Sequence, residues 1–382
     1  MNFRKVKLGD VCKIVSGTTP STNEASFWNG RLPWITPAEI HETSHVICKT
    51  ERHITEKAVE KKALSLLPKG TVLLTSRAPI GKVAIAGIDM YCNQGFKNLI
   101  CSDEIYNEYL YFFLKSKTSY LNYLGRGATF KEISKTIVEN ILIPLPSMTA
   151  QRQIAARLDK AQELIALQKE QIKKTDELIK SRFIEMFGDP IANPKKWPVK
   201  RMGELFKITS GGTPSRKKSE YFLGGNIPWV KTGDLNTMYL TYTDECITEL
   251  GLNNSSAKLF PKGTVLLAMY GATIGAVSVL DIEAASNQAC AAFLPVKNIL
   301  PIYLYYFLLS QKAHLVSLGV GGAQPNISGE ILKCEKIICP PLSLQNKFAD
   351  FVAGAEKQKT LLNNRLLMLE TLYKSLMQDY FG

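Results

Sequence analysis

The stretch QRQIAARLDKAQELIALQKEQIKKTDELIKSRFIEMF, Gln151 to Phe187, contains neither proline nor glycine and is rich in strong helix formers. Ile154, Leu158, Ala161, Ile165, Gln168, Ile172, Thr175 and Ile179 follow a four-three spacing, which places them on one stripe of a long amphipathic helix. The spacing returns at Phe348, Val352, Ala355, Lys359, Leu362, Leu366, Leu369 and Tyr373, each 194 residues after its counterpart. The chain carries one helix twice.

The same offset extends into the flanking sequence. VKLGDVCKIVSGTTPS from Val6 answers to VKRMGELFKITSGGTPS from Val199, and Pro33-Trp34-Ile35 answers to Pro228-Trp229-Val230. LPKGTVLLTSRAPIGKVAI from Leu67 matches FPKGTVLLAMYGATIGAVSV from Phe260, while Asn93-Gln94 matches Asn287-Gln288. The sequence is a tandem duplication of a unit long enough to hold its own core, far longer than a solenoid repeat. Each unit reads as a strand-rich globular part, with loops carrying the polar variety, followed by the long helix.

An isolated helix of this length with an exposed apolar stripe is not stable, so it needs a mate. Its own repeat is the natural one. Gln168, Thr175 and Arg182 stand where the second copy has Leu362, Leu369 and Leu376, which favours pairing unlike helices over like ones. The expected seam comprises Ile154, Leu158, Ile165, Ile172 and Ile179 against Val352, Leu362, Leu366, Leu369 and Tyr373, in antiparallel order. The fold class expected is therefore α+β, two mixed, strand-rich globular domains separated by two long antiparallel coiled-coil helices, with a pseudo-twofold internal repeat. Expected boundaries are 1–147, helix 148–187, linker 188–194, 195–341 and helix 342–382.

Lys and Arg number 47 against 34 Asp and Glu, a formal charge of +13 shared almost evenly by the two halves. That balance favours a polyanionic partner over mere solubility charge. The loops supply candidates. Thr18, Thr19 and Ser21 answer to Thr213 and Ser215, the latter followed by Arg216-Lys217-Lys218. Arg77 and Lys82 in one hairpin answer to Tyr270 in the other. Asn93 and Gln94 answer to Asn287 and Gln288, and Arg126, Thr129 and Lys131 lie in a loop equivalent to that of Gln324 and Asn326. These are loop-position candidates for gripping phosphate or reading bases; the blander reading of the first loop is a tight surface turn. Trp34 and Trp229 are expected in the core rather than stacked on bases.

Catalytic signatures are missing. No phosphate-binding glycine loop, nucleophile elbow or Asn/Asp-Pro-Pro-aromatic element occurs, and no acidic pair is preserved between the copies. His41, His45 and His53 cluster near Cys48, but the second copy has no histidine there, so a shared zinc role is not expected. The eight cysteines form no CxxC pair and read as free thiols of a reducing compartment. With no signal peptide and no run long enough to span a bilayer, a cytoplasmic chain without membrane contact is expected. A stand-alone methyltransferase or nuclease, and a coiled-coil protein-binding scaffold, remain the alternatives to a DNA-binding subunit.

Ser210-Gly-Gly-Thr-Pro-Ser, Ile227-Pro-Trp, Lys262-Gly-Thr-Val-Leu-Leu, Thr273-Ile-Gly, Asn-Gln, Ile143-Pro-Leu-Pro with Gln151-x-x-Ile154, and Ser181-Arg-Phe-Ile-Glu-Met-Phe-Gly-Asp, in that order and duplicated, carry a family likeness. The chain resembles the specificity subunit of type I restriction-modification systems. The resemblance implies two target recognition domains that read the halves of a bipartite, asymmetric double-stranded DNA site, and helices that space them. It further implies docking of two modification subunits, which would bind S-adenosylmethionine and methylate adenine, and of restriction subunits for cleavage; this chain itself would hold no cofactor. The first copy departs from the loop pattern at Ser76-Arg77-Ala78-Pro79 and at Thr129-Phe130-Lys131-Glu132.

Overall fold

The structure, a computed structural model, describes residues 3–125, 131–319 and 326–382. Two compact units emerge: Met1–Lys169 together with Asn364–Gly382 (unit 1), and Glu170–Asn363 (unit 2).

Unit 1 is built on a five-stranded sheet in the order Cys12–Ser16, Lys97–Cys101, Val72–Leu74, Val83–Ala86, Val46–Ile47, antiparallel except for the last pair. Its central strands Val72–Leu74 and Val83–Ala86 are apolar without interruption because both faces are covered. Val72, Leu74, Val83 and Ile85 join the core beneath helix α1 (Asn107–Ser116), whereas Leu73, Ala84 and Ala86 face a second core with Ile35, Ile40 and Phe96. Unit 2 repeats the plan with Ile208–Ser210, Cys290–Phe293, Val265–Ala268, Val277–Leu280 and Tyr239–Leu240. A smaller sheet in each unit centres on the tryptophan strand, Trp28–Ile35 in unit 1 and Ile227–Val230 in unit 2. Trp34 and Trp229 are both buried within it.

Helix α2 (Met148–Phe187) supplies its first half to unit 1 and its second half to unit 2. Helices α3 (Pro301–Ser310) and α4 (Leu342–Phe381) complete the picture, α4 giving its first half to unit 2 and its end to unit 1. Each unit thus closes on the terminal helix turns of the other repeat. In unit 1, Phe381 packs 5.2 Å from Tyr109 and 5.8 Å from Phe113. In unit 2, Phe187 meets Tyr303 at 4.8 Å and Phe348 at 5.4 Å. Both rings are fully buried, worth about 1.5–3 kcal/mol each by area.

The two helices run antiparallel within each unit. In unit 1, Arg157 donates to the Tyr380 hydroxyl at 3.2 Å, Gln162 to Tyr373 at 2.9 Å, and Lys169 pairs with Glu370 at 2.9 Å, one helix advancing as the other recedes. In unit 2, Lys359 reaches Asp176 at 2.6 Å and Phe183 lies 5.5 Å from Phe348. Along the seam Ile154, Leu158, Ile179, Val352 and Leu362 are buried, and Ile165, Ile172, Leu366, Leu369 and Tyr373 are half-buried. Thr175, polar in the stripe, is satisfied by its own helix, donating to the Gln171 carbonyl at 2.9 Å. Arg182 pairs with Glu185 and lies over Phe351.

One buried side chain anchors each helix start. Gln151 accepts from the Tyr106 N–H at 2.8 Å and donates to the carbonyls of Glu104 (2.9 Å) and Pro146 (3.0 Å). Gln345 does the same with Leu300, Asn298 and Pro340. A buried amide survives only when its donors and acceptors are paired, and here one residue satisfies three loop groups that no strand reaches.

Candidate nucleic-acid interface

Four loop segments converge in each unit. In unit 1 the glycine-threonine loop lies against the turn after Tyr91–Cys92: Thr18 N–H donates to the Cys92 carbonyl at 3.0 Å, and Thr19 Oγ1 donates to Gln94 Oε1. A Cβ on Gly17 would collide with the Asn93 carbonyl, so only glycine allows this approach. The Ser76 N–H donates to the Gly95 carbonyl at 2.7 Å, and the Ile133 N–H to the Ser76 carbonyl at 2.9 Å, which draws in the third and fourth segments. Arg77 and Glu132 face each other across that junction as an isolated antiparallel bridge.

Unit 2 reproduces each contact. Gly212 N–H donates to the Ser286 carbonyl at 2.8 Å, and Thr213 Oγ1 to Gln288 Oε1. Met269 N–H donates to Ala289 O at 2.9 Å, Ile327 N–H to Met269 O at 2.9 Å, and Tyr270 is bridged to Asn326. The buried indole holds the first loop in both, Trp34 Nε1 donating to Thr18 O at 3.3 Å and Trp229 Nε1 to Gly212 O at 3.0 Å.

The sequence candidates fall into three groups. Thr19, Gln94, Arg77, Thr213, Gln288, Tyr270 and Asn326 meet at these junctions, with Thr18 beside them. Asn93 and Asn287 shape the turn, their Oδ1 atoms accepting from Gly95 N–H (2.6 Å) and Ala289 N–H (3.1 Å). The others sit at the margin. Ser21 and Ser215 are exposed, their carbonyls accepting from Trp28 Nε1 and Lys218 N–H. Lys82 is half-buried past the hairpin tip, its N–H donating to Thr75 Oγ1 at 3.0 Å; Lys131 and Lys217 are exposed. Lys218 donates to the Tyr221 hydroxyl at 3.0 Å, and Arg216 is pinned by Glu245 at 2.6 Å. Arg126, Thr129 and Gln324 lie outside the described residues.

Sequence reading missed the charged partners. Lys97, almost wholly buried, pairs with Glu132 at 3.0 Å, and Glu132 takes Arg77 Nε at 2.9 Å on its other oxygen. Partial burial pushes the Glu132 carboxyl up, but the hydrogen bonds from Lys97 and Arg77 outweigh it and hold the group below the usual carboxylate range. In unit 2 a different carboxylate is held low: Glu245, beside the tryptophan strand, by Lys231 (3.0 Å), against the opposing effect of its partial burial, and by Arg216. The available signal was a lysine in the apolar strand Lys97–Cys101 where the repeat has Ala291. His45 pairs with Glu108 at 2.6 Å and stacks on Tyr111. Among the described residues no three His, Cys, Asp or Glu side chains converge to hold a metal.

The type I restriction modification DNA specificity domain matches the chain twice, over residues 1–176 and 194–371. The chain belongs to the type I restriction-modification specificity family. A type I restriction enzyme specificity subunit of Methanocaldococcus jannaschii, MjaIX, is 32% identical over 95% of this chain and 88% of its own length. The EcoR124I/EcoR124II specificity subunit of Escherichia coli is 28% identical over 61% of the chain and 58% of its own length. Among solved structures, a chain from a type I restriction-modification complex covers 99% of this one with a TM-score of 0.68 at 22% identity, and 97% of that chain is covered. The specificity subunit of M. genitalium gives 0.58 at 17% identity, over 100% of this chain and 96% of its own. As a member of this family the chain is a non-catalytic specificity subunit, and what it recognises is DNA sequence. Among the described residues no helix is long and apolar enough to cross a membrane.

Proposed function

We propose that the chain reads a bipartite, asymmetric DNA site, each unit taking one half through its four-segment junction, while α2 and α4 set the gap. The observation that carries this reading is the division between constant and variable parts of the two junctions. The loop glycine, the Thr–Gln pair and the backbone bonds are the same in both, as a phosphate backbone common to both halves requires. Arg77, Lys97 and Glu132 stand against Tyr270, Ala291 and Asn326, as two different base sequences require.

The helices also carry a duplicated exposed surface. Leu167 and Leu361 are equivalent in the repeat and both exposed, and so are Leu178 and Leu372. Solvent-facing leucines at matched positions of a duplicated helix support two equivalent docking surfaces, hence two modification subunits. Those subunits would bring S-adenosylmethionine and methylate adenine in each half-site, and restriction subunits would join for cleavage.

The test is methylation by the chain assembled with its modification subunits. A bipartite motif with a fixed gap is expected. Inserting four residues into both α2 and α4 adds about 6 Å and should lengthen the gap by roughly two base pairs; an unchanged gap removes the spacer role, and methylation without sequence preference removes the reading altogether.

A further inference from the structure

The two junctions differ in charge at three equivalent positions where the segments meet. In the first strand pair of unit 1, Ser16 stands opposite Lys97; in unit 2, Ser210 stands opposite Ala291. Replacing the lysine by alanine leaves a cleft of about 440 Å³ in unit 2, lined by Thr209, Ser210, Tyr270, Gln288, Ala291 and Asn326 among others. At its rim Glu330 and Lys333 pair with each other at 2.7 Å, so the lining presents amides and a phenol. In unit 1 the corresponding place holds Lys97, Glu132 and Arg77, linked in a row.

The row fixes what Arg77 can do. Glu132 holds Nε, and among the described residues nothing is bonded to the two terminal nitrogens, which leaves their planar fork open on a side chain about half exposed. A carboxylate beside a lone arginine would repel a phosphate. Beside a G·C pair it is an asset, since the fork matches guanine O6 and N7 and the carboxylate suits the N4 donor of the paired cytosine. Lys97 supplies the second positive charge that keeps the cluster cationic. In unit 2, Asn326 is exposed beside Tyr270, and no described residue bonds its side-chain amide. An asparagine amide offers one donor and one acceptor, the pattern complementary to adenine N6 and N7.

We propose that the two units read opposite base pairs: Arg77, positioned by Glu132, reads a guanine in the half-site bound by unit 1, and Asn326 reads an adenine in the half-site bound by unit 2. This rests on the reading of two half-sites given above. Glu132 and Lys97 are positioning residues.

The experiment uses the assembled enzyme. The methylated motif is determined by sequencing modified genomic DNA for the wild type, Arg77→Gln, Arg77→Lys and Asn326→Ala. Both Arg77 variants should lose roughly 5- to 150-fold discrimination at one G·C position of one half-site, the loss of one bidentate contact. Wild-type discrimination in both variants, with binding weakened uniformly across sequences in Arg77→Gln, overturns the base-reading role in favour of a phosphate contact. Asn326→Ala should relax one A·T position in the other half-site, and relaxation at a G·C position or in the same half-site overturns the assignment.

A second measurement needs no variant. Binding by the wild-type complex is competed with duplexes carrying 7-deazaguanine or 7-deazaadenine at each position in turn. One guanine in one half and one adenine in the other should become sensitive, and insensitivity everywhere sinks the inference while a bipartite methylation motif leaves the two-half-site function standing. A wild-type complex with no sequence preference removes both.

Discussion

Removing the Gln151 side chain tests how each helix is fastened to its globular part. The amide is fully buried and makes three hydrogen bonds, so Gln151→Ala leaves the Tyr106 N–H and the Glu104 and Pro146 carbonyls without partners and opens a cavity. Each orphaned buried group costs about 1–3 kcal/mol, though a carbonyl keeps part of its solvation and water entering the cavity recovers some. A loss of about 3–5 kcal/mol is expected, which for a unit of this size lowers the melting temperature by roughly 6–20 °C. Gln151→Leu separates the contributions, because it restores volume but no polar partner: it should remain within about 1.5 kcal/mol of Gln151→Ala. Gln345→Ala in unit 2 should behave alike, since its three partners are the same three loop positions. Urea denaturation of the full chain, followed by hydrogen exchange at residues 104–110 and 298–304, gives the magnitude and its location. A Gln151→Leu variant as stable as the wild type would refute the reasoning, for it would mean that packing volume and not polar satisfaction holds the helix start.

Phe381→Ala should cost about 3–5 kcal/mol and speed hydrogen exchange in α1 without touching α3, and Phe187→Ala should do the reverse; the opposite pattern would contradict the exchanged helix ends. Gly17→Ala should displace the Thr18–Thr19 loop from the Asn93 carbonyl and reduce DNA affinity of the assembled enzyme at least about tenfold, read by filter binding with the melting curve as control. Because the Glu132 carboxyl is held below its unfolded value, its contribution is present above about pH 4.5 and is lost as pH falls through the folded value. Glu132→Gln should therefore be less stable than the wild type at pH 7, with the gap narrowing as pH falls below about 4.5 in urea titrations; a gap independent of pH would mean that the Lys97 and Arg77 contacts contribute nothing.

Much of this architecture was legible because duplication supplies its own control. The offset between Ile154 and Phe348, and between Thr19 and Thr213, exposed the repeat, the antiparallel mate and the equivalent loops. The central strands could be seen but not their reason: an uninterrupted run such as Val72-Leu73-Leu74 leaves open what covers each face, and here one side meets α1 while the other meets a second core. The partition of the long helices was not legible either. Periodicity marks the stripe of α2 from Ile154 to Ile179 and is blind to the fact that Phe187 completes the core of unit 2 while Phe381 completes that of unit 1.

The cations over the tryptophans show where the repeat misleads. In unit 1 the Arg52 guanidinium lies 3.9 Å from the Trp28 ring centroid and 5.2 Å from that of Trp34. In unit 2 Arg216 lies 4.5 Å from Phe222 and 5.1 Å from Trp229. Arg52 comes from the strand paired with the tryptophan strand, whereas Arg216 comes from the loop after Pro214, so the two are not aligned by any offset. The basic triplet at Arg216 therefore reads in sequence as extra charge that unit 2 has and unit 1 lacks. In space the ring face receives a guanidinium in both units, an arrangement worth about 0.5–2 kcal/mol depending on exposure. What the duplication preserves at this spot is a flat cation on a buried indole, which in turn holds the loop carbonyl of Thr18 or Gly212. Divergence was free to change which strand or loop delivers the arginine, and the same freedom shows around Arg77 and Tyr270, where one frame of backbone contacts carries Arg77, Lys97 and Glu132 in unit 1 and Tyr270, Ala291 and Asn326 in unit 2.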